Sequence, residues 1–383
     1  WLVQPLKNVE RINARLDTVE DFFLNIDFTN QIREILSNIG DLERLVSKIS
    51  ANKVTPRDFI ALKNSLRQIP KLKTIASHFH SELASKLFAD LHTIDELVNE
   101  IERAIIDDPS LNFGLGKIFK RNYNAELDEF TELKYSSDDW LSRYQEQERQ
   151  KTGISNLRVS FNNVFGYYIE VSKANIIKVP EYYDRRQTLT NYERYITPDL
   201  KVFENKILQT EQRLNVLEKE LFEQLRQFAT KFISEIQANS QIIASIDCLC
   251  NFAIISKEYN YVKPRINSSN QIEIIDGRHP IIERSLKIGE KYVENTTILN
   301  DKQQIHILTG PNMSGKSSYL RQVGLIILLG QIGCFVPAKS AEWGYVDNIF
   351  TRVGASDNII GGESTFMVEM TETAKILNNA TQR

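Results

Sequence analysis

From Pro198 onward, apolar residues recur at Leu200, Phe203, Ile207, Leu214, Leu217, Leu221, Leu225, Phe228 and Phe232, at spacings of three, four or seven. That period marks one stripe of a long α-helix. Forty residues of it span about 60 Å at 1.5 Å per residue. A second polar, helix-prone run extends from Glu126 to about Lys151, with Leu127, Phe130, Leu133, Trp140, Leu141 and Tyr144 as its apolar stripe and Gly153 at its end. Between the two the texture changes. Leu157-Arg158-Val159-Ser160-Phe161 and Gly166-Tyr167-Tyr168-Ile169-Glu170-Val171 are rich in aromatic and β-branched residues and bounded by turn formers, which predicts a small β-rich insertion over roughly Asn156 to Tyr195. A short β module between two long helices reads as a tip on a rod; a coiled-coil hairpin with a decorated end has the same pattern.

The flanking regions differ from this rod. Val9 to about Ile106 is almost free of Gly, with apolar residues at helical spacing such as Leu42, Leu45, Val46 and Ile49, and Asp108-Pro109-Ser110 breaks the run before Gly114 and Gly116. After Pro264, strand-like segments (Ile272 to Ile275, Ile305-His306-Ile307-Leu308) alternate with helical patterns at Tyr319 to Leu329 and near Thr371 to Leu377. That alternation predicts an α/β domain beginning near Val262. The expected fold class is therefore multidomain α plus α/β, and 383 residues suit two or three domains.

Hydrophobic residues at 42% and charged residues at 25% match an ordinary soluble protein, and no segment reads as a membrane span. The net charge of -3 excludes a globally basic nucleic-acid binder, so any such contact must come from a local patch. Cys248, Cys250 and Cys334 suit neither a disulfide framework nor a zinc site, which points to a reducing cytoplasm. The opening Trp1-Leu2-Val3-Gln4-Pro5 has no Met and no leader, so the expectation is an internal piece of a longer polypeptide.

Gly310-Pro311-Asn312-Met313-Ser314-Gly315-Lys316-Ser317 fits the phosphate-loop pattern G-x-x-x-x-G-K-S, with an expected strand before it and a helix after it. Two glycines let backbone N–H groups curl around phosphate oxygens, and the helix dipole favours the anion. Lys316 is expected to reach the β- and γ-phosphates of a nucleotide, Ser317 to hold Mg²⁺, and Ser318 to bind the nucleotide together with the loop residues. The alternative is an ordinary Gly-rich turn. No acid after Ser317 sits at the end of an apolar strand: Glu363, Glu369 and Glu372 lie in a Gly-rich loop or on a helix. The chain by itself is therefore expected to be inactive in hydrolysis.

The loop Thr309 to Ser317, the run Phe350-Thr351-Arg352-Val353-Gly354-Ala355-Ser356-Asp357 and the run Ser364-Thr365-Phe366-Met367-Val368-Glu369-Met370 together resemble the MutS family of DNA mismatch repair ATPases. The likeness continues through Asp276-Gly277-Arg278-His279-Pro280, Gly166 to Ile169 with Arg185 to Leu189, and Ala125 to Asp128-Glu129, so it covers essentially the whole chain. It implies a helical core domain over 1–125, a first lever helix over 126–155 and a β-rich DNA clamp over 156–197. It further implies a returning lever helix over 198–261 and, over 262–383, the N-terminal part of an ABC/SMC-like P-loop ATPase domain that stops before the Walker B strand.

By the same resemblance, Lys316 and Asn312 act on the γ-phosphate, Tyr292 stacks on adenine, and Ser364 is offered to the nucleotide of a partner in a homodimer of ATPase domains. Mismatched double-stranded DNA and a MutL-type repair protein are the implied partners. Tyr292 has packing as its alternative, and Ser364 a helix N-cap. Arg278 and His279 read as structural. The family's mismatch-reading Phe-x-Glu element is missing, and the clamp sets the chain apart from the clampless paralogues.

Basic residues outnumber acidic ones between Lys151 and Lys206. Lys173, Lys178, Arg185, Arg186, Asn191 and Arg194 are the candidates for DNA phosphates, which would give sequence-independent, salt-sensitive binding. A solvated charged surface is the alternative for each. A structural rod-type ATPase of the SMC kind is the competing function, although its hinge would be larger and Gly-rich.

Overall fold

The structure is a computed structural model and describes all residues except 163–165, 288, 312–313, 353–364 and 382–383. Between Val9 and Ala104 the chain forms α1 (Val9–Leu24), α2 (Ile26–Leu36), α3 (Leu42–Ser50), α4 (Pro56–Leu66), α5 (Ile69–Ile75), α6 (Glu82–Ala89) and α7 (Asp95–Ala104). Their starts follow from local chemistry. Asn8 and Asp41 accept the N–H groups of Arg11 and Arg44 at 2.8 and 2.9 Å, and Thr55 and Asp58 form a reciprocal capping box ahead of α4.

The chain divides into two compact units. One comprises Gly40–Arg67 and Ile94–Gln237; the other comprises Trp1–Ile39, Gln68–Thr93 and Ala238–Arg383. The helices of the first hundred residues are thus shared between the units, which helical periodicity cannot reveal because it reports a buried face and not what covers it.

In the first of these units the two long helical stripes form α8 (Ala125–Thr152) and, after the sheet, α9 (Pro198–Thr230). Asn124 caps α8 and Gly153 ends it in the left-handed region (φ 67°); Thr197 caps α9 with Pro198 in its first turn. Trp140 stacks on Phe203 at 3.8 Å between ring centres, joining the two stripes. Between them lie β1 (Arg158–Asn162), β2 (Gly166–Ser172), β3 (Asp184–Thr188) and β4 (Tyr192–Ile196), an antiparallel sheet in the order β1-β2-β4-β3. Its covered face rests on a cluster of Tyr144, Leu157, Ile169, Val171, Tyr183, Tyr195 and Leu200.

Two buried positions on α9, Thr210 and Glu218, break the apolar pattern, and only the second can carry a charge. Glu218 is fully buried, and its carboxylate accepts the backbone N–H of Gly114 at 2.5 Å. The same glycine's carbonyl oxygen accepts Lys134 Nζ from α8 at 2.9 Å, so the 110–117 loop bridges both long helices.

The other unit adds α10 (Ile233–Glu258, from Ala238 on), β5 (Arg265–Asn267), β6 (Ile272–Gly277), α11 (Pro280–Ser285), β7 (Asn295–Leu299), α12 (Lys316–Gln331), β8 (Ser340–Gly344) and α13 (Thr365–Asn379). Its sheet runs β5-β8-β6-β7, with β5 and β8 parallel and the other pairs antiparallel. The helical patterns near Tyr319 and Thr371 are α12 and α13, and the pattern near Ile272 is β6. The expected strand at Ile305 to Leu308 does not form. This segment joins no ladder among the described residues, and Ile305 and Ile307 are 79% and 86% exposed. Apolar alternation favours an extended chain, but a strand exists only where a neighbour accepts and donates its hydrogen bonds.

Contrary to the sequence reading, one described helix, α10, is long and apolar enough to cross a membrane. A third of that apolar stretch is buried, and on its covered side Asn239 accepts the N–H of His92 at 2.8 Å and donates to its carbonyl oxygen at 2.9 Å.

Candidate functional site

Gly315 sits at φ 89° and serves as N-cap of α12. Glycine reaches that conformation without a Cβ clash. No side chain caps this helix and its first turn holds no acid, and leading N–H groups with the positive dipole end of a helix favour a negative charge. Lys316 folds back across the loop, its Nζ donating to the carbonyl oxygens of Gly310 and Pro311 at 2.6 and 2.7 Å.

A cavity of about 890 Å³ opens against this terminus. The structure brings Gly310, Pro311, Ser314, Gly315, Lys316, Ser318 and Tyr292 together in its lining, although Tyr292 is far from the loop in sequence. Ser317 is exposed in the first turn of α12, outside that lining. Asn312, Met313 and Ser364 lie outside the described residues. Cavity residues without a sequence signal are Asn295, Thr296 and His306. None belongs to a motif, and each arrives through the ends of β7 or the extended segment before the loop.

Two side-chain bonds anchor α12 from its flank. Thr297 Oγ1 and the Tyr319 hydroxyl lie 2.7 Å apart, and the Tyr292 hydroxyl donates to Gln322 Oε1 at 2.7 Å. Burial raises the Tyr292 phenol above its ordinary value, so the hydroxyl keeps its proton at neutral pH. Arg278 and His279 both bond to groups close by in the fold. Arg278 Nε meets Glu283 at 2.7 Å, and His279 Nδ1 accepts the N–H groups of Ile281 and Ile282 at 3.3 and 3.4 Å. Burial depresses the His279 pKa, which keeps Nδ1 an acceptor. A second cavity, about 900 Å³, shares Ile282 and Ser318 with the first but has none of the loop glycines in its largely apolar wall.

On the other unit, Lys173, Lys178, Arg185, Arg186 and Asn191 are exposed. Consecutive strand residues ordinarily face opposite sides. Here the β3–β4 register shifts between Arg185 and Gln187, a bulge that leaves both Arg185 and Arg186 at the surface. Arg185 lies 3.5 Å from Glu193, and Arg186 3.2 Å from Asp184. Arg194 is placed differently. Its side chain is 18% exposed, donates to Gln187 at 2.9 Å, pairs with Glu170 at 3.5 Å and lies over the Tyr168 ring at 4.4 Å.

Residues 1–253 match the family model described as MutS domain III, and residues 306–383 match MutS domain V. The chain belongs to the MutS family. The protein named DNA mismatch repair protein MutS in Bacteroides thetaiotaomicron is 48% identical over 100% of this chain and 44% of its own length. Those of Caldanaerobacter subterraneus and Salinibacter ruber are 46% and 44% identical, again over 100% of this chain, and over 44% and 42% of their own lengths. The chain therefore spans less than half the length of these MutS relatives. The domain III match contains both long helices and the four-stranded sheet, and the domain V match contains the loop and α12. Both matches are to MutS, so the SMC-type alternative has no support.

Proposed function

We propose that this chain is the DNA-clamping and nucleotide-binding portion of an ATP-dependent mismatch repair protein. The observation that carries the reading is the meeting of Lys316, a glycine-capped helix terminus and Tyr292 around one cavity, in a chain similar to MutS along its full length. Triphosphate would lie at the N-terminus of α12 with Lys316 turned onto its β- and γ-oxygens, and the base would stack on Tyr292. The Ser317 hydroxyl would be the protein's ligand to Mg²⁺, which when bound neutralises charge on those phosphates.

In this reading 1–125 is the core, 126–155 and 198–261 are the lever, and 156–197 is the clamp that holds duplex DNA by its phosphates. The ATPase portion is 262–383. Dimerisation through that portion, Ser364 reaching a partner's nucleotide, and engagement of a MutL-type protein follow from the same family.

No carboxylate is among the described residues that line the cavity. Phosphoryl transfer depends on groups that position water and metal, so the chain alone should bind nucleotide without turning it over. Titration with a fluorescent ATP analogue, followed by steady-state phosphate release, tests both halves. Absence of saturable binding would remove the nucleotide reading, and robust turnover would mean that the catalytic groups already reside on this chain.

A further inference from the structure

Gln322 lies on the same helix as Lys316 and is fully buried. Its Oε1 accepts the Tyr292 hydroxyl at 2.7 Å and Asn295 Nδ2 at 3.4 Å. A dehydrated amide costs free energy that an apolar residue of the same size would not, and Ile326 and Ile327, one turn on, are buried apolar side chains. The bond to Tyr292 is what the amide provides in return.

An independent observation supports the design. A Cβ on Gly277 would come within 2.8 Å of Gln322 Nε2, 3.0 Å of Ile274 and 3.1 Å of Ile326. Gly277, in the Gly277-Arg278-His279-Pro280 run, therefore leaves the room in which the amide sits.

We propose that Gln322 is a positioning residue for base recognition: through the Tyr292 hydroxyl it holds the ring at the wall of the loop cavity, and Gly277 keeps space for it. The inference rests on the reading of Tyr292 as the surface on which the base stacks. Its consequence is geometric. The helix whose first turn cradles the phosphates also sets the base platform, so both ends of the nucleotide are registered against one rigid element.

The test compares ATP with inorganic tripolyphosphate, which has no base, in equilibrium binding to the whole chain. Gln322→Met keeps the volume and removes the acceptor; Tyr292→Phe keeps the ring and removes the donor. Each should weaken ATP binding about fivefold, the size of one net hydrogen bond, and leave tripolyphosphate unchanged. The double variant should be no weaker than Gln322→Met alone, because that change already deletes the bond to the Tyr292 hydroxyl.

Unchanged ATP affinity in the single variants, additive losses in the double, or a parallel loss of tripolyphosphate would overturn the proposal. The last outcome would make Gln322 a packing residue of α12. If Gln322→Met does not fold by circular dichroism, Tyr292→Phe, which deletes a single oxygen, decides. A wild-type chain that binds ATP no more tightly than tripolyphosphate removes the base platform itself. A wild-type preference that both variants retain removes only the role of Gln322.

Discussion

The Lys316 ammonium donates to the carbonyl oxygen of Gly310 at 2.6 Å, spanning the mouth of the loop it closes. The same charge is the one cation lining the cavity among its described residues. Lys316→Ala should therefore weaken nucleotide binding by about a hundredfold or more, since charge-assisted bonds to phosphate are among the strongest polar contacts. Equilibrium binding of a labelled ATP analogue measures it. An affinity equal to that of the wild type would end the phosphate-loop assignment.

Arg185 and Arg186 are both at the surface because of the bulge in β3. Replacing both with Ala should reduce the salt slope of DNA binding by roughly two units, at about 0.9 per phosphate contact. Perfect and mismatched duplexes should lose affinity equally, because phosphates carry no sequence information. Binding isotherms at several salt concentrations decide the matter. A loss confined to mismatched DNA would contradict a phosphate-only grip.

Glu148 has a side chain only 1% exposed, yet it accepts hydrogen bonds from Lys151 at 2.7 Å, Tyr183 at 2.8 Å and Tyr182 at 3.0 Å. Burial opposes its charge, but these donors outweigh burial and hold its carboxyl below the usual range. A depressed folded pKa contributes stability above the unfolded value, about 4.3 for Glu, and loses it as pH falls through the lower folded value. Glu148→Gln should destabilise the unit by about 1–3 kcal/mol at pH 7 and by less at pH 3. Urea denaturation at both pH values checks the sign, and a cost that does not depend on pH would show that the charge is irrelevant.

Glu218 behaves in the opposite sense. Burial raises its carboxyl above the ordinary range, against the pull of the backbone amides of Gly114 to Gly116 and of Lys134. A raised folded pKa makes the folded state bind its proton more tightly, so its contribution grows as pH falls from above the folded value towards the unfolded one. Glu218→Ala removes the acceptor of the Gly114 N–H and leaves a cavity, and should cost about 2–4 kcal/mol at neutral pH. Urea midpoints compared with those of the exposed-site variant Glu220→Ala provide the control. Equal midpoints would show that the 110–117 loop is not held by this residue.

Signals that act over a few residues were legible in the chain. Asn124 and Gly153 bound α8, Thr197 and Pro198 start α9, and the texture between them marks the four-stranded sheet. The start of α12 just after Gly315 could be read as well, because a glycine at positive φ specifies that turn locally.

Relations between distant residues were not legible. Ile305 to Leu308 has strand-like alternation, but whether it pairs depends on a neighbour. Arg194 looks like its neighbours Arg185 and Arg186 until the sheet register turns it onto Tyr168, Glu170 and Gln187. Gln322 carries no motif, and only folding brings it to Tyr292, just as only folding buries Glu218 against the Gly114 amide. The sequence by itself determined the long helices, their caps and the β insertion, since propensity, period and capping chemistry act within a few residues. The tertiary structure alone decided which polar groups share a bond, because a buried hydrogen bond is set by the two surfaces that exclude water around it.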